Sequence, residues 1–327
     1  MNLSVEGASG QHRRSAHGRR RQGRETVSLP YGWTRVDDAT VLRLCGHIYD
    51  EQSDCLTAAG VPMGTMTAMR VLVVVSAADR IPLREGGSEP TGTYLGELIE
   101  PTDAMRDAGF ELAFATPGAR IPTIDGTSCS LMYFAGSRKR RDAALSSYRE
   151  LLELGLATPA KLEEICHDRQ RLDGFDAMFV PGGHGPLVDL LHRDAFADDS
   201  LNEDFGALVR YFHDSQRPTG LICHAPAALA AAPTVDGRWT YEGYRMTCFK
   251  TGVDTMLSTV PLVRRFKGHL KDDPTELLTS RGAKVEQTML PMGSKVVEDR
   301  ELITGQDPYS AKAFGAAFVS KVRSART

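Results

Sequence analysis

The sequence predicts an α/β protein built on a mostly parallel sheet sandwiched by helices. Three observations carry that prediction. Short apolar runs without polar alternation recur along the chain, as in MRVLVVVS at Met69–Ser76, and strands covered on both faces read this way. Amphipathic helical patterns separate those runs. The loops with unusual chemistry, PGGHG and the ICH turn, fall just after such runs, at the carboxyl edge where parallel sheets bind ligands.

In order along the chain, the first 25 residues hold six arginines among Gly and Ser and show no apolar periodicity. They read as a disordered tail. Leu29–Gly64 is mixed, with a short helix expected near Asp38–Ile48. The catalytic domain is expected to span residues 66–327, leaving residues 1–65 as an N-terminal extension. Strands are expected at Arg70–Ser76, Glu111–Thr116, Ala177–Val180, Pro218–Cys223, Lys284–Gln287 and Glu301–Thr304. Helices are expected at Leu95–Ala108, Ala144–Leu156, Pro159–Cys166, Glu203–Asp214, His224–Ala232, Thr275–Ser280 and Ser310–Val322. The basic run Arg138–Arg141 reads as a solvated helix entrance rather than a phosphate site.

Bulk properties narrow the function classes. Of 327 residues, 41% are hydrophobic and 25% charged, the balance of a globular protein, and the net charge of -3 gives no general attraction to nucleic acid or acidic membrane. No apolar run approaches the roughly 18 residues of a membrane span, and no apolar stretch of a secretory signal opens the chain. A cytoplasmic protein without membrane partners is therefore expected. The six cysteines form no CxxC pair and no zinc spacing with histidine, so disulfides are not expected.

The chemistry concentrates in three places. In GLICHAPAAL, Gly220–Leu229, a strand runs straight into Cys223 and a helix follows with almost no loop. Such an elbow projects a nucleophile from the sheet edge, and a helix N-terminus beside it is expected to lower the thiol's pKa. His224 is adjacent. In VPGGHGPLVDL the loop Pro181–Gly185 follows another strand, and its glycines, Gly182 and Gly183, with His184, are candidates for holding an oxyanion or substrate. In GTYLGELIEP, Glu97 opens a helix, but spacing alone does not choose it over Glu100 or Glu111.

Together with ITGQDPYSAKAFG, YEGYRMTCFKTGVDT and RFKGHL, these segments resemble the ThiJ/PfpI superfamily, and within it the HchA-like group of glutathione-independent glyoxalase III enzymes. The likeness runs from about Met69 to Val322. It implies a flavodoxin-like, class I glutamine amidotransferase-like fold. It also implies a catalytic set of Cys223 as nucleophile, His224 as base, Glu97 on the thiol and Asp254 orienting the histidine, with Gly183 supplying a backbone N–H. The family's usual CHGP is CHAP here, with Ala225 in place of glycine. Zinc-binding relatives use a His, Glu, His trio that matches Arg106, Glu111 and Leu152, so no metal is expected, and no other cofactor.

The resemblance implies conversion of methylglyoxal or glyoxal to a 2-hydroxy acid through a cysteine hemithioacetal, a lyase reaction that removes reactive aldehydes in stress. Deglycation of proteins is a related activity, and a homodimer is the expected assembly. Two other classes stay open: a cysteine peptidase or amidase using the same thiol, and a holdase chaperone for unfolded proteins, which would not need Cys223. An oxidisable low-pKa thiol would also suit a redox sensor.

Overall fold

A computed structural model describes residues 68–250, 252–260, 265–289 and 293–325. The N-terminal extension and the helix expected near Asp38–Ile48 lie outside the described residues.

Strand β1, Arg70–Val74, opens the sheet. Val71 and Val73 pack into one apolar cluster and Leu72 and Val74 into the other. Successive side chains point to opposite faces, and both faces are covered, so the strand reads as an unbroken apolar run. Helix α1, Leu95–Asp107, leads to β2, Glu111–Thr116. Helix α2, Arg138–Leu151, is followed by the short β3, Ala160–Lys161. Then come β4, Ala177–Val180, helix α3, Glu203–Asp214, and β5, Thr219–Ile222. Helix α4, Val253–Thr259, precedes the hairpin of β6, Val296–Asp299, and β7, Leu302–Gly305. Helix α5, Ala311–Ser324, closes the described fold.

The seven strands lie in the order β6-β7-β5-β4-β1-β2-β3. Every neighbouring pair is parallel except β6 with β7. Leu95 and Leu98 of α1 and Phe314 and Phe318 of α5 cover one face. Phe205, Leu208 and Phe212 of α3 cover the other. The carboxyl ends of β1, β4 and β5 therefore share one edge, and the loops that leave them converge.

Several elements differ from the sequence reading. Lys284–Val285 pairs with Arg245–Met246 in a separate two-stranded piece instead of joining the sheet. The sheet's edge is filled by β6, whose VVED sequence buries only Val297 and so carries no apolar run. The expected helix at His224–Ala232 is a 3-10 run, Ala225–Ala231, with every residue buried. Helix α2 starts at Arg138, earlier than Ala144, because the Ser137 hydroxyl accepts from the Arg140 N–H and caps it. The basic run is thus the first turn of α2, and Arg138, Lys139 and Arg140 are exposed.

Candidate active site

Cys223 follows the last residue of β5 with φ of 65°, a region an L side chain adopts only when its surroundings hold it there. Two backbone bonds do so. The Cys223 N–H donates to the Gly305 carbonyl at 2.9 Å, and its carbonyl accepts from the Phe249 N–H at 2.8 Å. The turn carries the thiol off the sheet edge, yet Cys223 is only 3% exposed.

His224 Nδ1 lies 3.2 Å from the Cys223 sulfur, and its Nε2 lies 2.7 Å from Asp254 Oδ2. A carboxylate accepts and cannot donate, so the proton sits on Nε2 and Nδ1 offers a lone pair to the thiol. Asp254 is the second residue of α4, just after Gly252 at φ of 83°. Burial works against its charge, but the charge of His224 and hydrogen bonds from His184 and His224 hold its carboxyl far below the ordinary range. The His224 ring also stacks on Phe249 at 4.3 Å.

Glu97, in the first turn of α1, is fully buried. Its carboxyl faces the thiol and the Gly183 N–H, but among the described residues neither oxygen reaches a partner at good hydrogen-bond geometry. A side chain at Gly182 would collide with the Glu97 carboxyl and come within 2.6 Å of Cys223 Cβ, so the loop must be bare there. Burial pushes Glu97 up to about 8; contact with the thiol opposes this, and the charges of Asp307 and Asp125 reinforce it. Burial, and then the charge of Glu97, also push the Cys223 thiol up, while the Gly183 N–H pulls it down. The lowering expected from a helix N-terminus is therefore outweighed. Only a short 3-10 run follows the cysteine, and desolvation dominates. Near neutral pH the pair is best described as a protonated carboxyl beside a thiol, with room for one negative charge between them.

This burial has a measurable cost. Glu97 binds its proton more tightly in the folded chain, at about 8, than in the unfolded chain, at 4.5. Its contribution to stability is complete below pH 4.5 and is lost as pH rises through 8. Glu97→Gln is expected to stabilise the fold by about 1–3 kcal/mol at pH 8 and by nothing at pH 4. Thermal unfolding at the two pH values checks this.

The structure brings Cys223, His224, Asp254, Glu97, Gly182 and Gly183 together. His184, expected beside these glycines as an oxyanion or substrate contact, turns its ring toward Asp254. Its Nε2 is 3.3 Å from Asp254 Oδ1, and its ring lies 4.1 Å from that of His224 and 5.1 Å from that of Phe266. Sequence reasoning did not find a second group beside the site. Arg265 pairs with Asp125, 140 positions away, and its guanidinium lies over the rings of Phe266 and Tyr94. Tyr133 meets Tyr94 edge-on at 5.2 Å, and burial pushes its phenol's pKa up.

The zinc positions of some relatives do not fit a metal here. Arg106 is an obligate cation paired with Glu150 at 2.7 Å, Glu111 lies 3.8 Å from Arg70, and Leu152 has no donor atom.

Comparison with known proteins places the chain among relatives of the same fold. The chain is 27% identical over 256 residues to the protein/nucleic acid deglycase HchA of Staphylococcus aureus strain MSSA476, covering 78% of this chain and 80% of the relative. Among solved structures, it resembles glyoxalase III from Candida albicans with a TM-score of 0.55 at 18% identity, over 77% of this chain and 97% of that one. The Rapid Encystment Protein 24 KDa of Francisella tularensis gives 0.58 at 20% identity, over 78% and 99%. At these identities the two structures speak for the fold alone. The DJ-1/PfpI family pattern matches residues 91–321, well over half the chain, taking in Glu97, the PGGHG loop, the Cys223 elbow and Asp254: the chain belongs to the DJ-1/PfpI family.

Proposed function

We propose that the protein is a glutathione-independent glyoxalase that converts methylglyoxal and water to lactate, a hydro-lyase of the lactate dehydratase type. The observation that carries this reading is a thiol 3% exposed, set between a His–Asp base and a carboxyl that is protonated near neutral pH. Burial this deep favours a small aldehyde as substrate. It disfavours a peptide, which needs an open groove along the nucleophile.

The proton inventory closes over one turnover. His224 Nδ1 takes the thiol proton, and the thiolate adds to the aldehyde carbon. The new alkoxide, facing the Gly183 N–H, takes a proton from Glu97, giving the hemithioacetal. Glu97, now a carboxylate, removes the hydrogen on the thiol-bearing carbon, and protonated His224 supplies the enediol's second hydroxyl proton. Glu97 then returns its proton to the neighbouring carbon while His224 takes the hydroxyl proton, leaving a 2-hydroxy thioester. Water, deprotonated by Glu97, attacks the thioester and releases lactate. The departing thiolate recovers its proton from His224. Asp254 stabilises the imidazolium at each charged stage.

The deglycase named among the relatives suggests adducts on macromolecules as alternative substrates. Such an adduct has to bring its carbonyl to the same thiol, and the burial of Cys223 favours the free aldehyde. Purified protein given methylglyoxal, without glutathione or added metal, is expected to release lactate in step with aldehyde consumed. Aldehyde loss without lactate would reduce the reaction to adduct formation and overturn the proposal. Peptide hydrolysis in place of lactate would favour the peptidase reading.

A further inference from the structure

We propose that His184 is a positioning residue for the catalytic base: its Nε2–H holds the second oxygen of Asp254, so that the carboxylate keeps the His224 proton on Nε2 and the His224 lone pair on the thiol. The inference rests on the cysteine–histidine chemistry described above, and it removes His184 from the groups that touch substrate.

Each oxygen of Asp254 has its own histidine. Oδ2 faces His224 Nε2 at 2.7 Å and Oδ1 faces His184 Nε2 at 3.3 Å. With only one donor, the carboxylate could swing about its last bond and lose alignment with His224. With two, both torsions of Asp254 are fixed. A lysine or arginine in place of His184 would also donate, but it would bring a charge that competes for the carboxylate. His184 donates without one. Its Nδ1 is buried and has no partner among the described residues, so a second proton there would be an unsatisfied buried donor. Burial, the neighbouring charge of His224 and the positive Arg265 all push its pKa down, to about 4. Among the described residues, the titratable and charged groups facing His184 are Asp254 from α4, His224 after β5 and Arg265. Of these, only the carboxylate favours a charged His184. The rings of His184 and His224 are 4.1 Å apart, so a cationic His184 would repel the imidazolium that His224 must become. A neutral donor is what this position requires.

Removing the donor leaves the Asp254 charge less dispersed and draws the proton more strongly onto His224. The acidic limb of the rate profile then moves to higher pH. His184→Phe is expected to shift that limb upward by about one pH unit, a tenfold change in proton affinity. At neutral pH it is expected to lower kcat by about tenfold with KM nearly unchanged. His184→Gln, which can place an N–H near the same point, is expected to stay within about threefold of wild type. The pH profile of Cys223 alkylation by iodoacetamide is expected to shift the same way. Alkylation requires no glyoxalase activity, so the two proposals fail separately. A chelator is kept in all assays, because the two imidazoles and the carboxylate bring three metal-competent atoms within 4.8 Å of one another.

A rise in KM with unchanged kcat would make His184 a substrate contact and overturn the proposal. So would a glutamine variant as impaired as the phenylalanine variant. If His184→Phe does not fold, nitrogen-15 NMR of the wild-type chain labelled at histidine decides the matter. Nε2–H tautomers are expected at both His184 and His224, and an Nδ1–H tautomer at His184 would refute the assignment.

Discussion

Cys223→Ser is expected to lower kcat/KM for methylglyoxal by at least about 1,000-fold while leaving thermal unfolding nearly unchanged. Serine keeps the size and β-carbon of cysteine, and the backbone bonds to Gly305 and Phe249 that hold the φ of 65° do not involve the side chain. What changes is the acid. A neutral imidazole 3.2 Å away can take a proton from a thiol, but a hydroxyl of far higher pKa resists it, and the buried setting penalises the alkoxide further. Lactate release measured beside a melting curve separates lost chemistry from lost fold. The variant also discriminates between function classes, since a holdase reading predicts unchanged suppression of client aggregation.

The second large effect is expected at Gly183. Its φ of 105° suits glycine and strains any L side chain. An added β-carbon would overlap the Gly92 carbonyl oxygen and lie 2.9 Å from the Tyr94 nitrogen, both backbone atoms that cannot yield cheaply. Gly183→Ala is therefore expected to cost about 3 kcal/mol, a fall in melting temperature of roughly 5–10 °C. The same substitution moves the N–H that faces Cys223 and Glu97. Activity is expected to fall at least about 100-fold, the cost of one lost oxyanion donor. Calorimetry and the lactate assay on the same preparation check both halves.

How far these features could be read from sequence depended on how local their cause was. The sheet was legible because burial on both faces leaves an unbroken apolar run in β1, β4 and β5. The Cys223 elbow was legible because a strand, one cysteine and an alanine-rich turn are contiguous. Glu97 was not selected by spacing, since Glu100 and Glu111 have the same chemistry and only the fold buries one of the three. Asp254, 30 positions from His224, came from family resemblance, because no periodicity links α4 to the end of β5. The roles of His184 and the Arg265–Asp125 pair depend on side chains meeting across 70 and 140 positions. A local pattern contains no trace of such contacts. The direction of the thiol shift is not legible in the sequence for a related reason. A helix N-terminus shows in sequence, but the depth of burial that outweighs it does not.

The most direct test of the account is to catch the covalent intermediate. Wild-type protein is mixed with carbon-13 methylglyoxal, quenched in acid during turnover and mapped by peptide mass spectrometry. The account predicts label on the Cys223 peptide that forms within one turnover and chases into lactate when unlabelled aldehyde is added. Lactate forming at full rate with label only on lysine or arginine side chains, and none on Cys223, would contradict it.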